Sequence, residues 1–286
     1  MNRVARVLRR WKRKGTNRVN TARLRRDTSR TARLVGDAIA ATGRPSTSAD
    51  EDLWVDRVEK ARADLVASQE KITRYDYGAG GSTSTRTRSE MEAGVPTDET
   101  LGTFARKASK PRFWCTFLFR LVRTLEPRAC IEMGAAVGVS GSYQAAALRL
   151  NGAGTLTSLE GDPTLAEITR GTFSRLGLDN ATVVVGRFDQ TLKTVLTERQ
   201  PVDFVFVDGH HDHDATLEYF EVIVPFVSDS AVLVFDDIAW SAGMKKAWAS
   251  IADDERVATS IDLGPIGVCV IDRSVSTKSR YRIPLK

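Results

Sequence analysis

The sequence predicts a doubly wound α/β fold built on a mostly parallel sheet of seven strands, with a helical extension at the N-terminus. From residue 128 onward, short β-branched and apolar runs alternate with helical patterns, which is typical of βαβ units with right-handed crossovers. The chain has 286 residues and is 42% hydrophobic, which is enough for a large core. We therefore expect one α/β domain at residues 104–286, preceded by segments 1–45 and 46–103.

The first 45 residues form a basic segment. They contain 14 Lys and Arg residues against two acids, Asp27 and Asp37, whereas the rest of the chain has 28 basic and 34 acidic residues. Within residues 1–14, apolar side chains recur at helical spacing between the basic ones (Val4, Val7, Leu8 and Trp11). This pattern predicts a basic amphipathic helix that can lie on an anionic membrane or bind nucleic acid; the alternative is a solvated arm.

The composition also limits the cellular compartments in which the protein is expected. No apolar run approaches the roughly 20 residues that span a bilayer, and the arginine-rich start lacks the apolar stretch of a secretory signal. Cys115, Cys130 and Cys269 lie far apart without a CxxC pair, which argues against a disulfide framework and a thiolate metal site. We predict a cytoplasmic protein with buried cysteines, peripheral to a membrane if residues 1–45 bind lipid.

Segment 46–103 is predicted to be a helix followed by a loop. The stretch 41–50 is rich in Pro, Gly and Ser and is typical of a linker. Apolar residues at helical spacing predict a helix over 52–72 that packs on the main domain or, in a homo-oligomer, on a partner chain (Trp54, Val58, Ala61 and Leu65). Residues 75–88 are rich in Gly and hydroxyl groups, which predicts a loop, either a lid over a pocket or a connector.

The main domain begins with a helix over 104–125 that leads into the first strand. The predicted parallel strands are 128–133, 155–160, 182–186, 202–208 and 231–236. Helices fill the gaps near 143–150, 163–176, 190–199, 214–226 and 242–252. Two further runs, 256–263 and 267–272, flank a Gly-Pro turn and predict a closing pair of strands, the last of which can run antiparallel.

The first predicted strand ends in a glycine loop, residues 132–140, where folds of this kind bind ligands. Gly134 and Gly138 suit a tight turn whose N–H groups, with the following helix N-terminus, face a ligand. Their GxxxG spacing differs from the GxGxxG that approaches a pyrophosphate. Glu160, at the end of the second strand, is placed to accept hydrogen bonds from the two hydroxyls of a ribose. The pattern predicts a nucleoside site without a phosphate.

Asp208 and the pair Asp236-Asp237 follow the ends of the fourth and fifth parallel strands. Carboxylates that converge at one sheet edge need protons or a cation, and oxygen ligands favour Mg²⁺, with Mn²⁺ or Ca²⁺ as alternatives. The other interpretation is that Asp208 or Asp237 caps the following helix. The three histidines of the chain follow Asp208, and His211 is our predicted general base (His210, His211 and His213). Trp240, just past the fifth strand, is placed either to wall an acceptor pocket or to anchor the core.

Residues 104–272 resemble class I S-adenosylmethionine-dependent methyltransferases, and among them the metal-dependent O-methyltransferases of the catechol type. The stretch 132–140 resembles the motif that holds the methionine part of the cofactor, 159–163 the motif whose acid binds ribose, and 184–189 the adenine contact. The resemblance implies cofactor contacts from eleven residues: Glu132, Gly134, Ala135, Gly138, Ser140, Glu160, Gly161, Asp162, Arg187, Phe188 and Asp208. It also places Asp208, Asp236 and Asp237 at the family's metal-ligand positions.

The chain departs from this family at two points. Ala136 stands where broader methyltransferase motifs have a glycine. The family's catalytic lysine, close after the first metal aspartate, has no counterpart, and His211 stands in its place. The window Asp208-Gly209-His210-His211 is similar to the DGxH pattern of bacterial small-molecule and sugar methyltransferases.

The resemblance implies transfer of a methyl group from S-adenosylmethionine to a hydroxyl of a small molecule. A divalent metal, Mg²⁺ or another ion, would bind and acidify the hydroxyl, with Asp208 and His211 in catalytic roles. One alternative is an RNA or protein methyltransferase that uses the basic residues 1–45, although the fourth strand lacks the Asn/Asp-Pro-Pro-Tyr/Phe signature of enzymes that methylate amino groups of nucleic acids. The other is a non-catalytic scaffold with a methyltransferase-like domain.

Overall fold

The computed structural model describes residues 15–45, 48–80 and 86–285. Its N-terminal part is helical: residues 15–24 (α1) are followed by α2 (Arg30–Thr42) and α3 (Ala49–Ala67). Serine side chains cap α2 and α3 by accepting a hydrogen bond from the first helical turn (Ser29 and Ser48). The predicted amphipathic helix at residues 1–14 lies outside the described residues.

Helix α2 packs against the main domain. Its inner face is made of small and apolar residues, of which Ala32, Val35 and Ala38 are fully buried. The Ser29 hydroxyl donates to Asp272 Oδ2 at 2.6 Å, and the Tyr281 hydroxyl donates to Asp27 Oδ2 at 2.8 Å. Residues 27–42 of the basic segment are therefore part of the folded body.

A two-stranded antiparallel hairpin follows α3. It pairs β1 (Lys71–Asp76) with β2 (Val95–Thr100), and the short helix α4 (Arg88–Ala93) lies between the two strands along the chain. An ion pair at 3.1 Å joins Arg74 to Glu99 across the hairpin. The sequence analysis predicted only a loop at 75–88 and a helix that continued to residue 72, so both strands were missed. Strand β2 reads VPTDET, and its proline and acids conceal the strand pattern.

The predicted helix over 104–125 is two helices. They are α5 (Leu101–Ala108) and α6 (Arg112–Leu125), with a break at residues 109–111. Pro111 takes the N-cap position of α6, and its ring disfavours a helical conformation for the residue before it. The break brings Lys110 into the site described below.

The main sheet has eight strands in the order β10-β8-β9-β7-β6-β3-β4-β5. Five strands agree with the predicted parallel ones: β3 (Ala129–Met133), β4 (Thr155–Glu160), β5 (Ala181–Val185), β6 (Val202–Val207) and β7 (Val227–Phe235). The closing pair consists of β8 (Thr259–Asp262) and β9 (Gly267–Asp272), and β9 runs antiparallel to β7 and β8. The eighth strand, β10 (Ser279–Arg282), was not predicted.

Helices cover both faces of this sheet, which confirms the doubly wound α/β class. They are α7 (Val139–Asn151), α8 (Pro163–Leu176), α9 (Phe188–Arg199), α10 (His213–Ile223) with a 3₁₀ turn (Val224–Phe226), and α11 (Ala242–Asp253). Alternate strand residues point to opposite faces: Phe204 and Phe206 pack with α2, α3, α6 and α7, whereas Val205 packs with α9, α10 and α11. The three cysteines are buried and unpaired, as predicted.

The carboxyl ends of the central strands are in register. Met133 pairs with both Leu159 and Val207, and Val207 pairs with Phe235. The residues that follow these strands, among them Gly134, Glu160, Asp208 and Asp236, therefore meet at one edge of the sheet. None of the helices in the described ranges is long and apolar enough to cross a membrane.

Candidate functional site

A cavity of about 590 Å³ lies at this edge of the sheet, within the roughly 300–1,000 Å³ of small-molecule sites. Ten of the fourteen predicted site residues line it: Gly134, Ala135, Ser140, Glu160, Gly161, Arg187, Phe188, Asp208, His211 and Asp237. The other four, Glu132, Gly138, Asp162 and Asp236, do not line it, and each is next to or hydrogen-bonded to a residue that does.

The glycine loop forms the floor of the cavity. Gly134 has φ +95°, and a Cβ there would lie 2.1 Å from the carbonyl oxygen of Asp208, so the loop can approach β6 closely only with a glycine. Gly138, with φ +81°, precedes the first turn of α7. The loop thus places its backbone and the N-terminus of α7 at the cavity, an arrangement that favours a ligand with hydrogen-bond acceptors.

Glu132 lies beneath the loop and is fully buried. Its carboxylate accepts hydrogen bonds from Ser140 Oγ and Ser158 Oγ, both at 2.7 Å, and from Gln144 Nε2 at 2.9 Å. Burial raises the pKa of Glu132 to about 7, against the opposing effect of these donors. Because it holds Ser140 from below, Glu132 acts on a ligand through the position of the loop.

Glu160 reaches the cavity from the end of β4. Its two oxygens accept hydrogen bonds from the backbone N–H groups of Ala136, at 2.8 Å, and Asp162, at 3.0 Å. Burial raises its pKa to about 7. The carboxylate is thereby fixed next to the glycine loop, where the sequence predicted a ribose-binding acid.

Asp162 binds backbone N–H groups and does not line the cavity. One carboxylate oxygen accepts from Leu165 N at 2.8 Å and caps α8, and the other accepts from Tyr75 N at 2.8 Å. Asp162 therefore ties the β1–β2 hairpin to the main sheet beside the cavity.

The segment after β1 forms one wall of the cavity. The Tyr77 ring lies over Gly161, where an added Cβ would come within 2.9 Å of Tyr77 Cδ2. Ala79 N donates to the His210 carbonyl at 2.9 Å, and Arg187 Nη1 donates to the Glu92 carbonyl at 2.9 Å. The described part of the predicted loop, residues 75–80 and 86–88, thus includes cavity-lining residues. Tyr77 was not predicted as a site residue; its one signal in the sequence is an aromatic side chain within a glycine-rich stretch.

The three predicted aspartates meet a lysine. Lys110 Nζ contacts Asp236 Oδ2 and lies 3.5 Å from Asp208 Oδ1. His211 Nε2 lies 3.8 Å from Asp208 Oδ1 and 3.9 Å from Asp237 Oδ2. The structure places Asp208, Asp236, Asp237 and His211 close together, as the sequence predicts. Lys110 was not predicted to lie among them.

These side chains do not fit a divalent ion. An ammonium group holds the space between Asp208 and Asp236, and the described ranges contain no group of three or more His, Cys, Asp or Glu side chains placed to hold a metal. The alternative interpretation, that Asp208 or Asp237 caps a helix, is wrong, because Asp212 caps α10 and Ser241 caps α11. Lys110 Nζ is the cationic group that the structure places beside both Asp208 and Asp236.

The histidines differ in their surroundings. His210 Nδ1 shares a hydrogen bond of 2.6 Å with the Tyr219 hydroxyl, and burial lowers the pKa of His210. His213 pairs with Asp214 at 2.6 Å on the exposed start of α10. His211 faces the aspartates and packs on Trp240, with ring centroids 5.8 Å apart. Trp240 therefore supports the histidine.

Backbone strain is concentrated at this cavity. The described residues include five non-glycine residues with positive φ, and four of them line the cavity: Ala136 (51°), His210 (70°), His211 (51°) and Asp237 (54°). Each such conformation costs roughly 1–3 kcal/mol and persists where the surrounding structure imposes it, which is frequent at functional sites. The strain supports the view that this edge of the sheet is the functional one.

A comparison with protein families matches the part of the chain that carries this site. Residues 131–238 match the family model described as a methyltransferase domain. That range extends from β3 to just beyond β7 and contains all fourteen predicted site residues. Comparison of the sequence with curated proteins gives no match.

The fold is similar to that of solved methyltransferase structures. A Klebsiella pneumoniae protein, provisionally assigned as an O-methyltransferase, is 16% identical, with a TM-score of 0.52 over 82% of this chain and 94% of that one. An O-methyltransferase from Bacillus cereus in complex with S-adenosylhomocysteine is 24% identical, with a TM-score of 0.50 over 57% of this chain and 83% of that one. A methyltransferase from Podospora anserina bound to the same compound is 19% identical, with a TM-score of 0.50 over 58% and 80%.

Residues 131–238 therefore match a methyltransferase domain, and the fold around them is similar to that of solved methyltransferases. The structural similarities themselves concern the fold.

Proposed function

We propose that the protein transfers a methyl group from S-adenosylmethionine to a hydroxyl of a small molecule held in the cavity at the carboxyl edge of the sheet. One observation carries the proposal: a single cavity joins the glycine loop, Glu160 and the group formed by Asp208, Lys110 and His211. A cofactor site and a site for acid–base chemistry thus share one space.

The cofactor is placed by three parts of the wall. The loop at Gly134 and the N-terminus of α7 take the methionine part, and Glu160 accepts hydrogen bonds from the ribose hydroxyls. Tyr77 and Phe188 flank the Glu160 side of the cavity and offer apolar faces to the adenine. A sulfonium methyl group then points toward Asp208 and His211.

The reaction is a displacement at the methyl carbon. A hydroxyl oxygen of the acceptor attacks, the carbon–sulfur bond breaks, and its electron pair stays on sulfur. His211 accepts the hydroxyl proton, and positioned general bases of this kind contribute about 10²- to 10⁴-fold in rate. The magnesium predicted from the sequence has no step here, because an ammonium group holds the space between Asp208 and Asp236.

Cofactor binding is the first test. Calorimetry with S-adenosylmethionine should show one site per chain, and Glu160→Ala should weaken it, because the ribose hydroxyls lose their acceptor. The matched control is Glu167→Ala, an exposed glutamate of α8 paired only with Arg170 at the surface. A folded wild-type protein that binds no S-adenosylmethionine would contradict the proposal and favour the non-catalytic scaffold.

The acceptor is then sought with radiolabelled S-adenosylmethionine and a panel of phenols, sugars, RNA and peptides. Transfer to a phenol or sugar hydroxyl supports the proposal, and transfer only to RNA or to peptides replaces it with the alternative.

A further inference from the structure

We propose that the ammonium group of Lys110 is the working cation of this site and occupies the place that a divalent metal would need between Asp208 and Asp236. The catalytic part of this inference depends on the proposed function, whereas the electrostatic part stands on the lysine and the carboxylates alone.

The first support is the burial of the ion pair between Lys110 and Asp236. The Asp236 side chain is 1% exposed and that of Lys110 is 13% exposed. Asp236 Oδ2 contacts Lys110 Nζ and has no hydrogen-bond donor elsewhere in the described ranges. A carboxylate in this position needs a paired cation to remain charged, and Lys110 is placed to provide it.

The second support is the anchoring of the lysine backbone. The Lys110 carbonyl accepts hydrogen bonds from Arg62 Nη1 at 2.7 Å and from Cys115 Sγ at 3.3 Å. Arg62 is held in turn by Glu59 at 3.0 Å, and Glu59 accepts from the Tyr143 hydroxyl at 2.8 Å. These contacts, which come from α3, α6 and α7, fix the backbone of Lys110 at the base of its side chain.

A neighbouring lysine shows the difference. Lys107, one turn earlier on α5, has a side chain that is 70% exposed and pairs with Glu99 at 3.4 Å. Lys110 instead lies in the break between α5 and α6, directly before Pro111, and its side chain contacts the carboxylates of the site. The geometry is therefore specific to Lys110.

In the proposed reaction, Lys110 acts on the acceptor oxygen. An ammonium group has three N–H donors, and Lys110 Nζ forms ion pairs with two carboxylates, so that at least one donor remains for a further acceptor. This donor is available to the oxygen that loses its proton to His211, forms the new bond to the methyl carbon and releases the thioether sulfur with its electron pair. A donor aimed at a developing oxyanion typically contributes about 10²- to 10³-fold to kcat.

The test measures metal binding without any assay of activity. The full-length chain is stripped with EDTA, desalted and titrated with Mn²⁺, and bound Mn²⁺ is counted by electron paramagnetic resonance. We expect no stoichiometric site in the wild type and measurable Mn²⁺ binding in Lys110→Ala, because removal of the ammonium leaves Asp208 and Asp236 as two neighbouring carboxylates without a cation. The site should disappear again in Lys110→Ala combined with Asp236→Asn, and Lys107→Ala should resemble the wild type.

Two results would overturn the inference. One is a wild-type chain that binds one Mn²⁺ and loses it on Asp236→Asn; the other is a folded Lys110→Ala chain that binds none. If Lys110→Ala does not fold, Lys110→Ser takes its place in the Mn²⁺ titration. If neither variant folds, the titration of the wild type alone tests the inference, because a stoichiometric Mn²⁺ site there would contradict it.

Methyl transfer provides a second measurement that separates this inference from the proposed function. Wild-type transfer should be equal in EDTA and in Mg²⁺, and Lys110→Ala should lower kcat by about 10²-fold or more with little change in S-adenosylmethionine affinity. If methyl transfer by the wild type requires Mg²⁺, the proposed role of Lys110 is wrong, whereas the proposed methyltransferase function remains supported. If the wild type binds no S-adenosylmethionine, the proposed function is wrong. The Mn²⁺ titration would then still test whether Lys110 takes the place of a metal between Asp208 and Asp236.

Discussion

His211 is the side chain on which the proton transfer depends. Its Nε2 lies between Asp208 and Asp237, at 3.8 and 3.9 Å, and its backbone has a positive φ. We expect His211→Gln to lower kcat about 10²- to 10⁴-fold, because the general base is lost. S-adenosylmethionine affinity, measured by calorimetry, should stay close to the wild-type value.

The control for this variant is His213→Gln, since His213 pairs with Asp214 and does not line the cavity. Equal losses in the two variants would show that His211 has no special role.

Glu132 makes stability depend on pH. Its pKa is about 7 in the folded chain against a reference of 4.5, so between these values the unfolded state binds fewer protons than the folded state. Stability from this group is complete below pH 4.5, declines as pH rises, and is lost above about pH 7. A pKa raised from 4.5 to about 7 corresponds to a loss of roughly 3 kcal/mol in the free energy of unfolding across this pH range.

We therefore expect Glu132→Gln to reduce the loss of stability between pH 4.5 and pH 7.5, as measured by urea unfolding at several pH values. Glu160 titrates in the same direction and remains in the variant, so some pH dependence should persist. An unchanged difference between the two pH values would show that Glu132 is not the group responsible.

At the scale of elements, the hairpin β1–β2 carries a wall of the cofactor site. The Tyr77 ring lies over Gly161, next to the carboxylate of Glu160. Stacking of a base on an aromatic ring is worth about 1–3 kcal/mol in nucleic-acid sites. We expect Tyr77→Ala to raise the Kd for S-adenosylmethionine about tenfold, measured by calorimetry.

Thr73→Ala is the matched control, because this residue is on the same hairpin, does not line the cavity, and donates its hydroxyl to Asp98 on the exposed side of the hairpin. An unchanged Kd in Tyr77→Ala would remove the hairpin from the cofactor site.

The sequence was most informative where local pattern and function coincide. Strands β3 to β7 alternate with helices, and the residues after them must meet at one edge, so Gly134, Glu160 and Asp208 were predictable. Lys110 and Tyr77 were not, because each enters from a segment before the first central strand and no local pattern shows where such a segment packs. The Lys-Pro break after α5 was the one available signal for Lys110.

Other elements were missed because their composition conceals their packing. Strand β10 is four residues long and contains two arginines, so it lacks a strand pattern. Helix α2 belongs to a segment dominated by arginine, yet its inner face packs on the domain through small residues such as Ala32 and Ala38. Small residues give a weak hydrophobic pattern and a close helix contact at the same time.

For the whole molecule, this packing determines how the basic segment can be tested. Removal of residues 1–45 would also remove α2, which contacts α6 and the sheet. Buried apolar area is worth about 25 cal/mol per Å², so this deletion should lower the melting temperature or prevent folding. Loss of binding in such a chain would not identify a polyanion site.

Removal of residues 2–14 is the informative experiment, because it deletes seven basic residues and no acidic ones while retaining α1 and α2. If the acceptor is a small molecule, KM and kcat should not change. If the acceptor is RNA, affinity should fall and the slope of log K against log salt should become shallower, since fewer phosphates are neutralised. Melting temperature serves as the folding control, and binding to vesicles with anionic lipid separates a membrane role from both.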